Sequence, residues 1–190
     1  MMRSSAALLA FAALSLSACG GGTQFGFTPE FVNLVNEADR LTTQLQPLAQ
    51  TPALPAAPGA TYQGVVIVAD DFDTSSTGVV GTANLTANFG APASISGTGT
   101  GFFQTALNAS NNPTGTGSPV GGSLVFGATN IGTSFNLDVD GTVTIDGVPR
   151  TINGTAPTAF FGPNAEMVSG LGTDLPTDTA YTADIAIVAD

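Results

Sequence analysis

Histidine, lysine and tryptophan are absent from this 190-residue chain, and cysteine occurs once. Without histidine or lysine the chain lacks the commonest general base, the commonest metal ligand and every Schiff-base route. Its serines have no such partner to activate them, so triad hydrolysis has no basis. The chain is therefore expected not to be an enzyme, and no cofactor is expected. One cysteine excludes an intrachain disulfide, which leaves packing and backbone hydrogen bonds to hold the fold. Positive charge is nearly missing as well, with three Lys and Arg against 14 Asp and Glu and a net charge of −11. An excess of this sign repels nucleic acid and anionic lipid, excluding both as partners.

The amino terminus has the organisation of an export signal. Arg3 precedes an apolar stretch at residues 6–14 (AALLAFAAL), too short to span a bilayer. Leu16, Ser17, Ala18 and Cys19 follow. Small residues admit an extended backbone to a peptidase groove, and the cysteine thiolate is the nucleophile that accepts a thioether-linked lipid. This is a lipobox. It predicts a bacterial lipoprotein with a signal peptide at 1–18, lipid attachment at Cys19 and a glycine-rich tether at 19–27. The membrane, reached through that lipid, is the expected partner. Gly20 rather than Asp after the cysteine fits outer-membrane sorting.

A helix is predicted over 28–46. Thr28 suits the N-cap, Pro29 the first helical position and Glu30 the first turn. Phe31, Leu34, Ala38, Leu41, Leu45 and Leu48 recur at spacings of three and four, which puts them on one face. Pro47 ends the helix, and residues 47–59, rich in Pro and Ala, are expected to be an extended linker.

From residue 60 to 190 the pattern becomes short alternating runs punctuated by Gly, Asn, Asp and Pro. Strands are predicted at 61–69, 79–89, 93–103, 123–130, 134–145, 148–156, 165–172 and 179–189. Residues 108–122, of low complexity, are expected to form a long mobile loop. The clearest alternation sets Phe135, Leu137, Val139, Val143 and Ile145 against Asn136, Asp138, Asp140, Thr142 and Thr144. Asp146-Gly147 is a two-residue hairpin signal. Eight strands at hairpin spacing favour an up-and-down barrel or a sandwich. Mid-strand Asp and the lack of aromatic girdles argue against a membrane-spanning barrel. The predicted fold is all-β: an eight-stranded antiparallel soluble β-barrel preceded by one amphipathic helix and a Pro/Ala-rich linker.

Residues 154–170 (GTAPTAFFGPNAEMVSG) carry Phe160-Phe161-Gly162-Pro163, then Ala165-Glu166, then Gly170. Upstream, residues 81–90 (GTANLTANFG) end in Phe89-Gly90, and Ser96-Gly97 follows. In this order these landmarks resemble the barrel domain of transferrin-binding-protein-like surface lipoproteins, over roughly residues 60–190. The resemblance implies a lipid-tethered barrel at the outer membrane of a Gram-negative cell, often on its outside. Members of that family bind host iron carriers, haemoglobin, haem or complement regulators. This chain has one barrel and no companion handle domain, and its loops do not match, so no ligand or binding residue carries over.

Three side-chain groupings are worth locating in space. Asp70, Asp71 and Asp73 are the densest carboxylates and could ligate Ca²⁺, although such runs are most often solvated loops. Asp138-Val139-Asp140-Gly141 begins like a calcium loop but sits inside a predicted strand. Haem, without histidine, would need Tyr62, Tyr181 or Met167, and the two tyrosines read more simply as core packing. The interior looks filled, so binding is expected at loops such as 108–122. The function expected is an outer-membrane-anchored lipoprotein acting as a non-catalytic binding module for a host or environmental protein or an iron- or haem-related ligand. The alternative is a structural envelope-associated lipoprotein that docks a membrane partner through its helix.

Overall fold

Among the described residues one helix forms where the period is 3.6, and nine strands form, most of them where the period is two. The computed structural model describes residues 28–56, 58–109, 111, 113–178 and 181–190. The expected signal peptide, the tether and Cys19 lie outside the described residues. The helix is α1 (Pro29–Leu45), and the strands are β1 (Gly59–Ala69), β2 (Thr77–Asn88), β3 (Ser94–Leu107), β4 (Pro113–Pro119), β5 (Gly122–Thr129), β6 (Ser134–Ile145), β7 (Val148–Phe161), β8 (Met167–Pro176) and β9 (Thr182–Ala189).

All pairings are antiparallel, and β9 returns to pair with β1 from Gly64↔Ala189 to Ala69↔Asp184. Eight strands thereby close into an up-and-down barrel, with β4 as an extra strand. Strand β3 is long enough for two partners on one edge. Its residues 94–99 pair with β5, and its residues 103–107 pair with β4. The Val120 N–H donates to the Phe102 carbonyl at 2.9 Å, carrying the ladder across the junction.

Strand β4 corrects the expectation of a long loop at 108–122. Two features recruit this Gly, Thr, Pro and Ser stretch to the wall. The Thr105 hydroxyl donates to the Thr114 carbonyl at 2.8 Å, and the Phe31 ring lies directly over Gly117, where a Cβ would overlap it. The last strand is also shorter than expected. It starts at Thr182, and Tyr181 is 57 % exposed rather than part of the core. The predicted hairpin forms at Asp146 and Gly147, whose φ values of +50° and +74° suit a tight primed turn.

The barrel interior is packed with side chains, among them Leu85, Phe102, Phe126, Leu137, Ile152 and Ile185, all essentially inaccessible to solvent. The outer wall over β2, β3 and β6 carries exposed Asn84, Thr86, Ser96, Thr98, Asp138 and Asp140. An apolar filled interior with a polar exterior is the reverse of a transmembrane barrel. No helix among the described residues is long and apolar enough to cross a membrane.

One barrel end is stoppered by aromatic rings. Phe160 lies 5.2–5.9 Å, centroid to centroid, from Phe135, Phe89 and Tyr62. The Tyr62 hydroxyl donates to the Ala165 carbonyl at 2.7 Å. Burial pushes this phenol up to about 12, and the Glu166 carboxylate acts in the same direction. A folded-state value above the ordinary phenol value of about 10 stabilises the fold below that pH, and the contribution is lost as pH rises through about 12. Tyr62→Phe should cost about 1 kcal/mol at neutral pH through the lost hydrogen bond. It should also flatten the alkaline fall in stability. Urea midpoints measured up to pH 12 test this, and a parallel decline in both proteins would refute it.

The stripe on α1 is buried against the outside of the barrel. Phe31, Leu34, Ala38 and Leu41 pack on Val65 and Ile67 of β1, Val80 of β2 and Met167 of β8. Arg40 fastens the helix to the wall with two hydrogen bonds to Asp190, at 2.7 and 2.9 Å, while also holding Glu37. Thr28 occupies the N-cap, but its side chain makes no capping hydrogen bond. The segment expected as a linker at 47–59 is docked on the barrel rather than free. The Thr51 N–H donates to the Phe160 carbonyl at 2.9 Å, the Gly162 N–H donates to the Ala49 carbonyl at 2.9 Å, and Leu54 packs against the interior cluster.

Candidate functional site

A soluble barrel ordinarily alternates apolar inside and polar outside, and here β1 and β9 break that rule. Residues 65–69 (VVIVA) and 185–189 (IAIVA) are apolar on both faces. Helix α1 covers part of the resulting outer patch. The remainder forms the floor of a groove of about 710 Å³ beside the helix carboxy terminus.

Strand register builds that floor in two rows. One row runs Val65, Val188, Ser169, Ala159, Ser134 across β1, β9, β8, β7 and β6. The second runs Ile67, Ala186, Leu171, Pro157, Asn136 across the same five strands. Each row is apolar at its β1 end and polar at its β6 end. Thr42, Leu45 and Leu48 form the wall on the helix side. At the β6 end, the Gln50 side-chain amide donates to the Ser134 hydroxyl at 2.5 Å.

Among the described residues, none that lines the groove is charged. The two arginines of the described chain are both engaged elsewhere, Arg40 by Glu37 and Asp190 and Arg150 by Asp70. The groove therefore offers apolar surface, hydroxyls and amides, with no counter-ion for an anion. It has the composition of a small-ligand site rather than a reaction centre.

The groupings singled out in the sequence do not converge on this groove. Asp70 turns towards Arg150. Asp71 folds back on its own loop, where the Thr74 hydroxyl and the Asp73 N–H hold its carboxylate below the usual range. Asp138 and Asp140 point outward from β6, and Asp140 accepts from the Asn153 amide at 2.6 Å. Among the described residues, no group of three or more His, Cys, Asp or Glu could hold a metal ion. Tyr62 is inside the barrel, Met167 lies under α1, and Tyr181 stacks over the Arg150 guanidinium at 4.7 Å. These three do not share a site.

The Phe-Gly-Pro landmark splits between two surroundings. Phe160 belongs to the aromatic stopper, whereas Phe161 faces outward into the groove. Glu166 locks the following turn by accepting the Asn164 N–H at 2.9 Å, and this lowers its pKa. Asp184 escaped notice in the sequence. It is buried, and its carboxylate accepts the Phe72 and Asp174 N–H groups at 2.8 Å each, tying the loop after β1 and the irregular stretch of β8 to β9. The groove escaped notice too, although the unbroken apolar runs at 65–69 and 185–189 signal strands buried on both faces.

Comparison with protein-family models, with curated proteins and with solved structures gives no match.

Proposed function

We propose that this chain is a non-catalytic binding module, tethered to the outer membrane through lipidated Cys19, that takes a small apolar ligand in the groove beside α1. One observation carries the reading: the barrel interior is filled, while its outer wall keeps an uncharged apolar groove of about 710 Å³. Small-molecule sites commonly span about 300–1,000 Å³ and combine apolar walls with a few polar groups. Because residues 113–119 form a strand, the reading rests on the wall groove rather than on a 108–122 loop. The likeness to transferrin-binding-protein-like lipoproteins agrees with a tethered barrel and leaves the ligand open.

The alternative, a structural lipoprotein docking a partner through its helix, is weaker on one count. The apolar stripe of α1 already faces the barrel and offers little to a partner.

Two measurements test the proposal. Wild-type protein should fractionate with the outer membrane, and Cys19→Ala should fail to anchor there; equal fractionation of the two would refute the tether. Protease treatment of intact cells then assigns the face of the membrane. The neutral dye Nile red should brighten on binding the protein, and failure to do so would refute the binding role.

A further inference from the structure

We infer that the ligand is a single-chain amphiphile with an uncharged, hydroxyl-bearing head, held with its chain across β9 and β8 and its head towards β6. This deepens the proposed binding role and rests on it. The open floor spans the four adjacent strands β9, β8, β7 and β6, because Val65 and Ile67 of β1 are only 1 % and 3 % exposed beneath α1. At about 4.8 Å per strand spacing its length is roughly 14 Å, the reach of an extended acyl chain of medium length rather than of a compact ring system. Its character changes along that length. Ala186 and Val188 form the apolar end, Leu171 and Ala159 the middle, and Ser134 and Asn136 the polar end.

Charge selects the head. A carboxylate or phosphate would enter a site without a cation, on a chain of net charge −11 whose described arginines are already paired. At this exposed end an anionic head finds no cationic partner and meets only the repulsion of the acidic chain. Hydroxyls instead find matching groups in the Asn136 amide and the Ser134 hydroxyl. The helix carboxy terminus also flanks the groove, with Leu45 and Gln46 in its lining. Its carbonyl end carries partial negative charge, which favours donors over anions.

Size selects a small molecule over a protein. A sphere of about 710 Å³ has a surface of roughly 400 Å², about half of what each partner contributes to a standard protein interface. A groove this small suits a chain better than a docked subunit.

The test uses the full chain, with Nile red as reporter and two competitors of equal chain length, monolauroylglycerol and laurate. The glyceride should displace the dye at least about tenfold more effectively than laurate. Ala159→Trp, which fills the middle of the floor, and Ala186→Glu, which puts a charge there, should each weaken both dye and glyceride about tenfold or more. Circular dichroism matching the wild type will verify that these variants fold. Asn136→Ala, at an exposed position, should weaken the glyceride several-fold more than it weakens the dye.

Equal competition by laurate, or an unchanged glyceride affinity in Asn136→Ala, would overturn this assignment while leaving a binding groove in place. Dye binding unaffected by Ala159→Trp, or no dye binding at all, would overturn the binding role itself. A concentration-dependent dimer abolished by Ala159→Trp would give the groove to a second copy, and the amphiphile assignment would fall.

Discussion

Phe160→Ala is expected to cost about 3–5 kcal/mol, a large part of the roughly 5–15 kcal/mol that holds a domain of this kind together. Phe160 is fully buried, and three aromatic rings close around it with centroids within 6 Å. Its removal leaves a cavity that the surrounding β-wall has little freedom to collapse into. Its carbonyl and N–H are also committed, to Thr51 and Thr133 respectively, so the backbone stays put while the ring is lost. Urea unfolding should therefore give a much lower midpoint with an unchanged slope. Phe161→Ala provides the control. That side chain is only half-buried and faces the groove, so about 1–2 kcal/mol is expected. Equal losses at the two positions would contradict the interior stopper.

Asp70→Ala should be nearly as damaging for an electrostatic reason. The Arg150 side chain is only 8 % exposed, and its Nε and Nη2 donate to the two Asp70 oxygens at 3.1 and 3.0 Å. Removing the carboxylate leaves a nearly buried guanidinium with the Tyr181 ring beside it and only the more weakly acting Asp146 and Asp178 charges in its field. Breaking a buried pair costs about 3–5 kcal/mol; because Asp70 itself is 24 % exposed, about 2–3 kcal/mol is expected here. Replacing both residues, as Asp70→Ala with Arg150→Leu, should recover part of that loss because no stranded charge remains. A double-mutant cycle from urea midpoints measures the difference. Single and double variants of equal stability would mean that the stranded charge reaches water without penalty.

Much of this fold is legible before any coordinates. The spacing from Phe31 to Leu41 fixes the buried face of α1, and Asp146-Gly147 fixes one hairpin and the register on either side of it. The alternation around Leu137 and Val139 states which face of β6 points inward. Strand β4 is not legible in the same way. Its Gly, Ser and Pro residues carry little strand propensity, and pairing with the end of β3 plus the Phe31 ring over Gly117 supplies what propensity does not. The proline- and alanine-rich segment likewise reads as a linker because Thr51 and Leu54 look unremarkable locally. Their partners, Phe160, Gly162 and the barrel interior, lie about a hundred residues further along the chain. The groove needs register as well as composition, since only pairing across five strands lines Val65 up with Ser134.

Closure of the wall has a consequence for how the chain is made. The seam joins residues 64–69 to residues 184–189, so no closed wall exists until residue 189 has left the ribosome. Contacts between such distant segments slow folding and keep the nascent chain open. For a protein exported as proposed, that delay is useful: a translocation channel admits an unfolded chain, and a topology that cannot lock early remains threadable until it has crossed.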